Sequence, residues 1–128
     1  MARIRHIALV VKDLEKTADF YQKALGLSRS EMSEGPTARR IYMSDGEVNL
    51  ALLQYKSEAG SGLKDPGSFV GLHHFGFQAD DLKAQQAAIE AAGGQFFFDL
   101  ARKATRASKE SSRIRTGSSS TSTIPAGP

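Results

Sequence analysis

The sequence contains no cysteine in its 128 residues. Disulfide bonds and thiolate metal sites are therefore excluded, and a reducing compartment is the expected setting. Long apolar runs are also missing: no stretch approaches the length of a membrane-spanning helix, and the start, Met-Ala-Arg-Ile-Arg-His, has no apolar signal-peptide core. These absences predict a soluble cytoplasmic protein that does not act in a membrane.

Most of the chain has no excess of basic residues over acidic ones. There are 17 Lys and Arg residues against 14 Asp and Glu, a net charge of +3. Residues 101–128 contain six of the basic residues and only one acid, Glu110, which leaves residues 1–100 with 11 basic and 13 acidic side chains and a net charge of −2. A mildly negative body argues against a phosphate-binding surface, so we expect no nucleic acid partner.

The segment from His6 to Gly26 recurs later in the chain, which indicates an internal repeat. A shift that places His6 on His74 also aligns three further pairs: Asp13 with Asp81, Leu14 with Leu82, and Gly26 with Gly94. Each copy begins with an apolar run headed by a histidine, passes an Asp suited to helix capping, and closes a helical segment on Gly. Two histidines at equivalent places can converge on a pseudo-twofold axis.

The first copy predicts a complete module over residues 1–56. Residues 3–11 alternate in polarity and then run apolar, which is typical of a largely buried strand. Asp13 is a candidate N-cap for a helix that Gly26 ends. The pattern then predicts three strands with turns between them: strands over about 27–32, 38–43 and 48–55, a turn at 33–36 and a hairpin turn at Asp45-Gly46.

The second copy follows a linker at residues 57–68 that is rich in Gly, Ser, Lys and Pro. Its pattern predicts a strand over 69–79, a cap at Asp81, an Ala-rich helix ended by Gly93-Gly94, and a strand over 95–100. The copy then breaks off, so residues 69–100 predict only part of a module. The sequence therefore predicts an α+β fold of two βαβββ modules, the second incomplete.

Residues 101–128 lack what two further strands would need. They contain no aromatic residue, and Ile114 and Ile124 are their only large apolar side chains. Such a segment cannot bury enough surface to offset an ordering entropy of roughly 1–2 kcal/mol per residue. The composition predicts a low-complexity tail that is disordered or loosely laid down.

Three origins are open for this tail: a natural low-complexity segment, a vector-derived scar, or translation out of frame from a point after Phe98. If the Ser codons are TCN and the Arg codons CGN, reading from each third base turns Ser118, Ser119 and Ser120 into codons for Phe, Leu, Ile or Val. The same shift lets residues 113–117 spell Asp-Pro-Asp-Gly and Thr121 become Asp. The shifted product is a turn and an apolar strand with an acidic position, which the second module lacks.

With this repeat, the chain resembles the vicinal oxygen chelate superfamily, the glyoxalase, bleomycin-resistance and extradiol-dioxygenase group. The matching residues run from 3 to about 99 and include His6-Ile-Ala-Leu-Val-Val-Lys-Asp-Leu, Phe20-Tyr21, Leu25-Gly26-Leu27, Gly71-Leu72-His73-His74-Phe75-Gly76-Phe77 and Asp80-Asp81-Leu82. The resemblance implies two βαβββ modules whose mixed sheet curls into a cup. It implies a fold more firmly than a reaction, because one scaffold hosts many reactions.

The resemblance also implies a divalent metal at the floor of the cup, held by the first and last strand of each module. His6 and His74 match its histidine ligands, whereas strand alternation places His73 on the other side. Neutral imidazoles and carboxylates suit Fe, Mn, Co, Ni or Zn, which can polarise a pair of substrate oxygens.

The sequence departs from the family pattern at both last strands. In the first module the ligand position falls at Ala51, which cannot coordinate. Asn49, on the same face, and Gln54, in a shifted register, are the polar residues nearby and are candidate substrate-binding residues. The carboxylate of the second module belongs to a strand that this reading frame does not contain.

Two classes of function follow from the resemblance. The first is a metal-dependent lyase, isomerase or dioxygenase that acts on a small oxygen-rich substrate, with activity lost if the unfinished module opens the cup to water. The alternative is a metal-free protein of the bleomycin-resistance type that sequesters a small hydrophobic ligand, which Ala51 favours. In both cases we expect a homodimer. For Arg39-Arg40 a solvated strand edge is favoured over contact with an anion such as a coenzyme A thioester.

Overall fold

The computed structural model describes residues 2–97 and 122–123. The elements in chain order are β1 Arg3–Val10, α1 Leu14–Leu25, β2 Ser28–Arg29, β3 Ser33–Glu34, β4 Ala38–Ser44, β5 Asn49–Tyr55, α2 Glu58–Ser61, β6 Gly71–Gln78, α3 Leu82–Ala91 and β7 Ser122–Thr123. Most of the tail, and with it the predictions of disorder or a shifted reading frame, lies outside the described residues. The three described residues of the strand predicted over 95–100 are not in a strand.

The strands form one mixed sheet in the order β2-β4-β5-β1-β6-β7, with β3 also paired to β4. The pair β1 and β5 is parallel, and the other pairs are antiparallel. The predicted α+β fold is therefore confirmed. The division into modules at residues 56, 68 and 100 stays a prediction, and a single helical turn, α2, lies inside the predicted linker.

The strand predicted over 27–32 is interrupted, and the structure shows why. The Ser30 backbone N–H donates to the carbonyl of Tyr42 at 2.8 Å, but the Tyr42 N–H donates to the Ser30 hydroxyl at 3.0 Å instead of to a backbone carbonyl. The side chain thus replaces one bond of the ladder. As a result, two short strands form, and β3 occupies part of the predicted turn at 33–36.

Both predicted helix caps are present. The carboxylates of Asp13 and Asp81 accept hydrogen bonds from the backbone N–H groups of Lys16 and Ala84, each at 3.0 Å. Gly26 ends α1 in the left-handed conformation with φ of 70°, which a residue with a Cβ adopts only with strain. The two copies of the repeat therefore begin their helices by the same local chemistry.

The two helices nevertheless differ in their burial. On α1, Leu14 and Ala18 are buried in one core cluster with three residues of the sheet: Ile41, Met43 and Leu52. A smaller cluster covers the opposite face of the sheet and consists of Ala8, Ala51 and Leu53. No residue of α3 is buried. In the described part of the chain, the core therefore belongs to the first copy.

The strands β1 and β6 pair around a pseudo-twofold axis. Three of the pairs define it: His6 with Gly76, Ile7 with Phe75, and Ala8 with His74. In the repeat, His74 is the equivalent of His6 and Gly76 is the equivalent of Ala8, so exchanging the strands returns the same pairs. The axis passes through the pair of Ile7 and Phe75, and the two histidines lie on either side of it.

The same symmetry appears in two irregularities of the ladder. The register shifts once between Ile4 and His6 and once between Ala8 and Leu9, which leaves Arg5 of β1 and His73 of β6 without partners in the ladder. These two residues are equivalent in the repeat. Each histidine of the axis therefore comes directly after a β-bulge, a feature that re-aims neighbouring side chains.

Candidate metal centre

The imidazoles of His6 and His74 meet on one face of the sheet. His74 lies across from Ala8, two residues along β1 from His6, so both side chains point to the same side. Their Nε2 atoms are 3.2 Å apart, and the ring centroids are 5.2 Å apart. The structure thus brings together the two histidines that the repeat aligned. Their role as metal ligands stays a prediction at this point.

His73 does not lie apart on the far side of β6, as strand alternation predicted. Its Nδ1 is 2.7 Å from Nδ1 of His74, and its Nε2 is 2.7 Å from the carbonyl oxygen of Ser61. The physical reason is the bulge, because an unpaired residue breaks the alternation of the strand. The prediction for His73 was wrong because no local sequence signal indicates this bulge.

The contacts of His73 indicate where the ring hydrogens of His73 and His74 lie. The Ser61 carbonyl can only accept, so Nε2 of His73 carries the hydrogen and donates it. The Nδ1 of His73 is then an acceptor, and Nδ1 of His74 donates to it. The Nε2 of His74 is left with a lone pair, which accepts the hydrogen of His6 Nε2 at 3.2 Å. A lone pair on this nitrogen is also what a metal ligand needs.

The electrostatics of the site also favour neutral imidazoles. Burial lowers the pKa of His6. Burial, followed by the proximity of His6 and His73, lowers the pKa of His74 to about 4. Near neutral pH both rings are therefore uncharged. His74 has its lone pair on Nε2, and His6 offers one there when its hydrogen lies on Nδ1.

Asn49 and Gln54, the predicted substrate-binding residues, lie on opposite faces of β5. Asn49 pairs with His6 and is exposed on the histidine face. Gln54 lies on the face of α1, where its amide donates to the carbonyl of Lys12. The structure therefore brings Asn49 to the histidines and does not bring Gln54 there, because residues 49 and 54 differ by an odd number of positions along one strand.

A third ligand is missing from the described residues, among which no group of three His, Cys, Asp or Glu side chains could hold a metal. Ala51, at the expected ligand position, is buried against Ala8. The backbone of β7 pairs with β6 at Gly76 and Phe77. Because Gly76 lies across from His6, the last described strand runs beside the site where a further ligand would belong.

The histidine face continues across the sheet to β4, over residues that the sequence analysis did not assign to the site. One row of paired residues crosses four strands: His74, Ala8, Ala51 and Tyr42. The two alanines in the middle have short side chains, so they leave space above the sheet between the rings of His74 and Tyr42. A two-residue turn at Asp45-Gly46 would pair Tyr42 with Asn49, whereas the observed loop pairs Ser44 with Asn49 and Tyr42 with Ala51. The predicted turn therefore indicates the face of Tyr42 but not its row.

Arg39 and Arg40 lie on opposite faces of β4. Arg39 is exposed and pairs with Glu34 at 3.6 Å, as expected of a solvated strand edge. Arg40 is only partly exposed and lies on the histidine face, where its Nη1 donates to the Tyr42 hydroxyl at 3.4 Å. The prediction of a solvated edge was therefore wrong for Arg40, because the pair straddles the two sides of the strand.

One cavity among the described residues lies away from the histidines. It has a volume of about 350 Å³ and opens near the end of β5, between the strands and the segment that precedes β6. Its lining includes Lys12, Arg39, Gln54 and Lys56. Two of its cations are already paired, since Arg39 and Lys56 both contact Glu34. The cluster of imidazoles is therefore the stronger candidate for chemistry.

A sequence model of the Glyoxalase/Bleomycin resistance protein/Dioxygenase superfamily matches residues 3–108. The human mitochondrial methylmalonyl-CoA epimerase is 28% identical over 88 residues, which are 66% of this chain and 50% of that protein. The ethylmalonyl-CoA/methylmalonyl-CoA epimerase of Cereibacter sphaeroides is 24% identical over 99 residues, 74% of each chain.

A solved structure extends this likeness to the fold. A variant of the Streptomyces coelicolor methylmalonyl-CoA epimerase, in complex with 2-nitronate-propionyl-CoA, superposes with a TM-score of 0.58 at 29% identity and covers 76% of each chain. The chain spans about half the length of the mammalian relatives it matches. No helix among the described residues is long and apolar enough to cross a membrane.

Proposed function

The chain belongs to the Glyoxalase/Bleomycin resistance protein/Dioxygenase superfamily, and we propose that it is a metal-dependent epimerase that acts on a small acyl-coenzyme A. The observation that carries the proposal is the meeting of two neutral imidazoles, 3.2 Å apart, on one open face of the sheet. The relatives named methylmalonyl-CoA epimerase support the substrate class. An isomerase is therefore favoured over the lyase and dioxygenase activities that the sequence left open.

The separation of the two nitrogens fits a shared cation. Two ligands at about 2.1 Å from one metal lie roughly 3.0 Å apart at a right angle and roughly 3.4 Å apart at a tetrahedral angle. The observed 3.2 Å lies between these limits. His6 and His74 would thus hold the metal as neighbouring ligands. A bound metal would supply Lewis-acid polarisation of the thioester carbonyl, which would make the α-proton easier for a base to remove.

The remaining residues of the site hold and orient these ligands. His73 and the Ser61 carbonyl keep the hydrogen of His74 on Nδ1, away from the metal side. Ala8 and Ala51 leave room above the sheet beside the imidazoles. Asn49, across from His6, is positioned to hydrogen-bond a substrate oxygen, which keeps it a candidate substrate-binding residue.

The third ligand, in this proposal, belongs to the last strand of the second module. The position of β7 beside Gly76 supports that placement. The tail as translated offers no acid near residues 121–123, whereas the shifted reading frame would supply one. Sequencing the DNA that encodes residues 95–128 tests this point, because codons that cannot spell Asp-Pro-Asp-Gly over 113–117 would exclude the frameshift.

Proton exchange at the α-carbon is the direct test of the epimerase. Methylmalonyl-CoA is incubated with the chain in deuterated water with Co²⁺, and loss of the α-proton is followed by NMR. We expect exchange that a chelator stops and that His6→Ala abolishes, while Arg39→Gln, on the other face of the sheet, exchanges as the wild type does. A chain in which the shifted reading frame of the tail is restored should exchange the α-proton faster than the chain as translated. If neither chain exchanges above the metal-only rate, the epimerase is excluded.

One observation favours a binding protein as the second candidate. Ala51 occupies a ligand position, and only two nitrogen donors converge among the described residues. Under this alternative a small ligand binds the histidine face without metal. Binding unaffected by chelator, together with no exchange, would support it. The homodimer and the cytoplasmic location also stay proposals, and light scattering on the purified chain tests the first of these.

A further inference from the structure

Arg40 has a hydrogen-bonding capacity that the fold leaves unused. Its Nε is buried and has no partner among the described residues. None of the ion pairs among the described residues includes Arg40, although its neighbour Arg39 is paired with Glu34. A guanidinium carries five donors, and here the Tyr42 hydroxyl accepts from only one of them. Such a group is a strong receptor for an oxyanion.

The position of Arg40 is held by its surroundings. A Cβ atom at Gly35 would clash with Nη2 of Arg40, so the guanidinium packs directly against the bare backbone of this glycine. On the other side, the Tyr42 hydroxyl lies 3.4 Å from Nη1. The guanidinium is therefore confined between a glycine and a tyrosine, and no acid among the described residues neutralises it.

Arg40 also shares its face with the histidines. It pairs with Leu53, which pairs with Val10 of β1, so its side chain points to the side of His6 and His74. The adjacent row places the backbone of Tyr42 three strand spacings from the backbone of His74, about 14 Å across the sheet. A ligand that touches both ends must therefore be long and must lie over Ala8 and Ala51.

We propose that Arg40, with Tyr42, binds a phosphate group of an acyl-coenzyme A whose thioester lies at the imidazoles. The assignment rests on the proposed function for the substrate class. The carboxylate of a malonyl-type acyl group is separated from the thioester only by the α-carbon, which is short compared with the three strand spacings between β6 and β4. The pantetheine arm, in contrast, carries the phosphates far from the thioester, over the distance that the sheet provides.

The test measures binding of propionyl-CoA and of propionyl-pantetheine, which lacks the phosphates, by calorimetry with Co²⁺ present. We expect Arg40→Gln to lower the affinity for propionyl-CoA by roughly tenfold or more, since a charge-assisted hydrogen bond is lost. The affinity for propionyl-pantetheine should not change. Arg39→Gln is the matched control, because it removes the same charge from the opposite face, and it should change neither. Gly35→Ala, which displaces the guanidinium without removing it, should weaken propionyl-CoA selectively.

Several results would overturn the assignment. Equal affinity of Arg40→Gln and the wild type for propionyl-CoA rejects it, as does equal weakening by Arg39→Gln. If Arg40→Gln weakens methylmalonyl-pantetheine relative to propionyl-pantetheine, the anion at Arg40 is the acyl carboxylate and the phosphate assignment is wrong. If the wild type does not bind propionyl-CoA, both this assignment and the proposed function fail. If Arg40→Gln selectively loses affinity for propionyl-CoA but the wild type does not exchange the α-proton, the assignment of Arg40 is supported and only the epimerase is rejected.

Discussion

The two copies of the repeat start alike and end differently. Both place a histidine on a strand after a β-bulge, and both cap a helix with an Asp at the same offset. Yet α1 is buried against the sheet and α3 is not. The difference lies in the chain beyond each helix, because only the first copy has a described hairpin, β4 and β5, against which its helix packs. Local signals begin an element, and its packing depends on a partner elsewhere in the chain.

The largest expected contrast between the copies is in stability. Leu52→Ala removes a fully buried side chain beneath α1 and should cost about 2–5 kcal/mol. Leu82→Ala, at the start of α3, truncates a side chain that is 38% exposed and should cost less than about 1 kcal/mol. Urea denaturation of both variants measures the difference. Equal losses would show that the second helix is packed as firmly as the first.

The equivalent bulge residues offer a second contrast, between Arg5 and His73. His73→Phe keeps a ring but removes the acceptor for His74 Nδ1, so we expect metal affinity to fall about 10-fold to 100-fold. The ¹⁵N shifts of His74 should at the same time report a mixture of tautomers. Arg5→Gln is the control, since Arg5 bonds Gln78 and the Glu47 carbonyl and touches neither imidazole in the described contacts. Unchanged affinity in His73→Phe would remove His73 from the site.

The pH dependence of stability should be carried mainly by the histidine of the second copy. Folded His74 has a pKa of about 4 against an ordinary value of 6.5, so the unfolded state takes up the proton first as the pH falls. The stability contributed by neutral His74 is complete above about pH 6.5 and is lost down to about pH 4, with a change of about 1–2 kcal/mol for a partly exposed ring. Chelator-treated wild type and His74→Asn, compared by urea denaturation from pH 7 to 4, give the measurement. Parallel curves would contradict it.

The smallest expected contrast concerns the caps. Asp13→Ala should destabilise the chain by about 1 kcal/mol, because the folding of α1 is coupled to the core. Asp81→Ala breaks the same type of hydrogen bond, but α3 can fray without exposing a core, so the global loss should be only a few tenths of that amount. Thermal melts with calorimetry distinguish the two. A larger loss of stability from Asp81→Ala than from Asp13→Ala would show that the second helix contributes more to global stability than the first, against this prediction.

The sequence predicted the features that repeat. The equivalence of His6 and His74 predicted that they converge. The two Asp caps and the Asp45-Gly46 turn predicted the order of the elements, because each is a local signal that is typical of one structure. The bulge at His73 was not predictable, since it depends on pairing between distant strands. The faces of Arg40 and Gln54 likewise depend on the register of β4 against β5, which a single residue of error reverses.

The central claim is that His6 and His74 act together on one divalent cation, and Co²⁺ titration tests it most directly. The absorption and affinity of the wild type are compared with His6→Ala, His74→Ala and the double variant. We predict one Co²⁺ per chain in the wild type, a loss of at least about tenfold in each single variant, and little further loss in the double variant, because either change destroys the same site. Single variants that keep the affinity of the wild type, or losses that simply add in the double variant, would contradict a shared site.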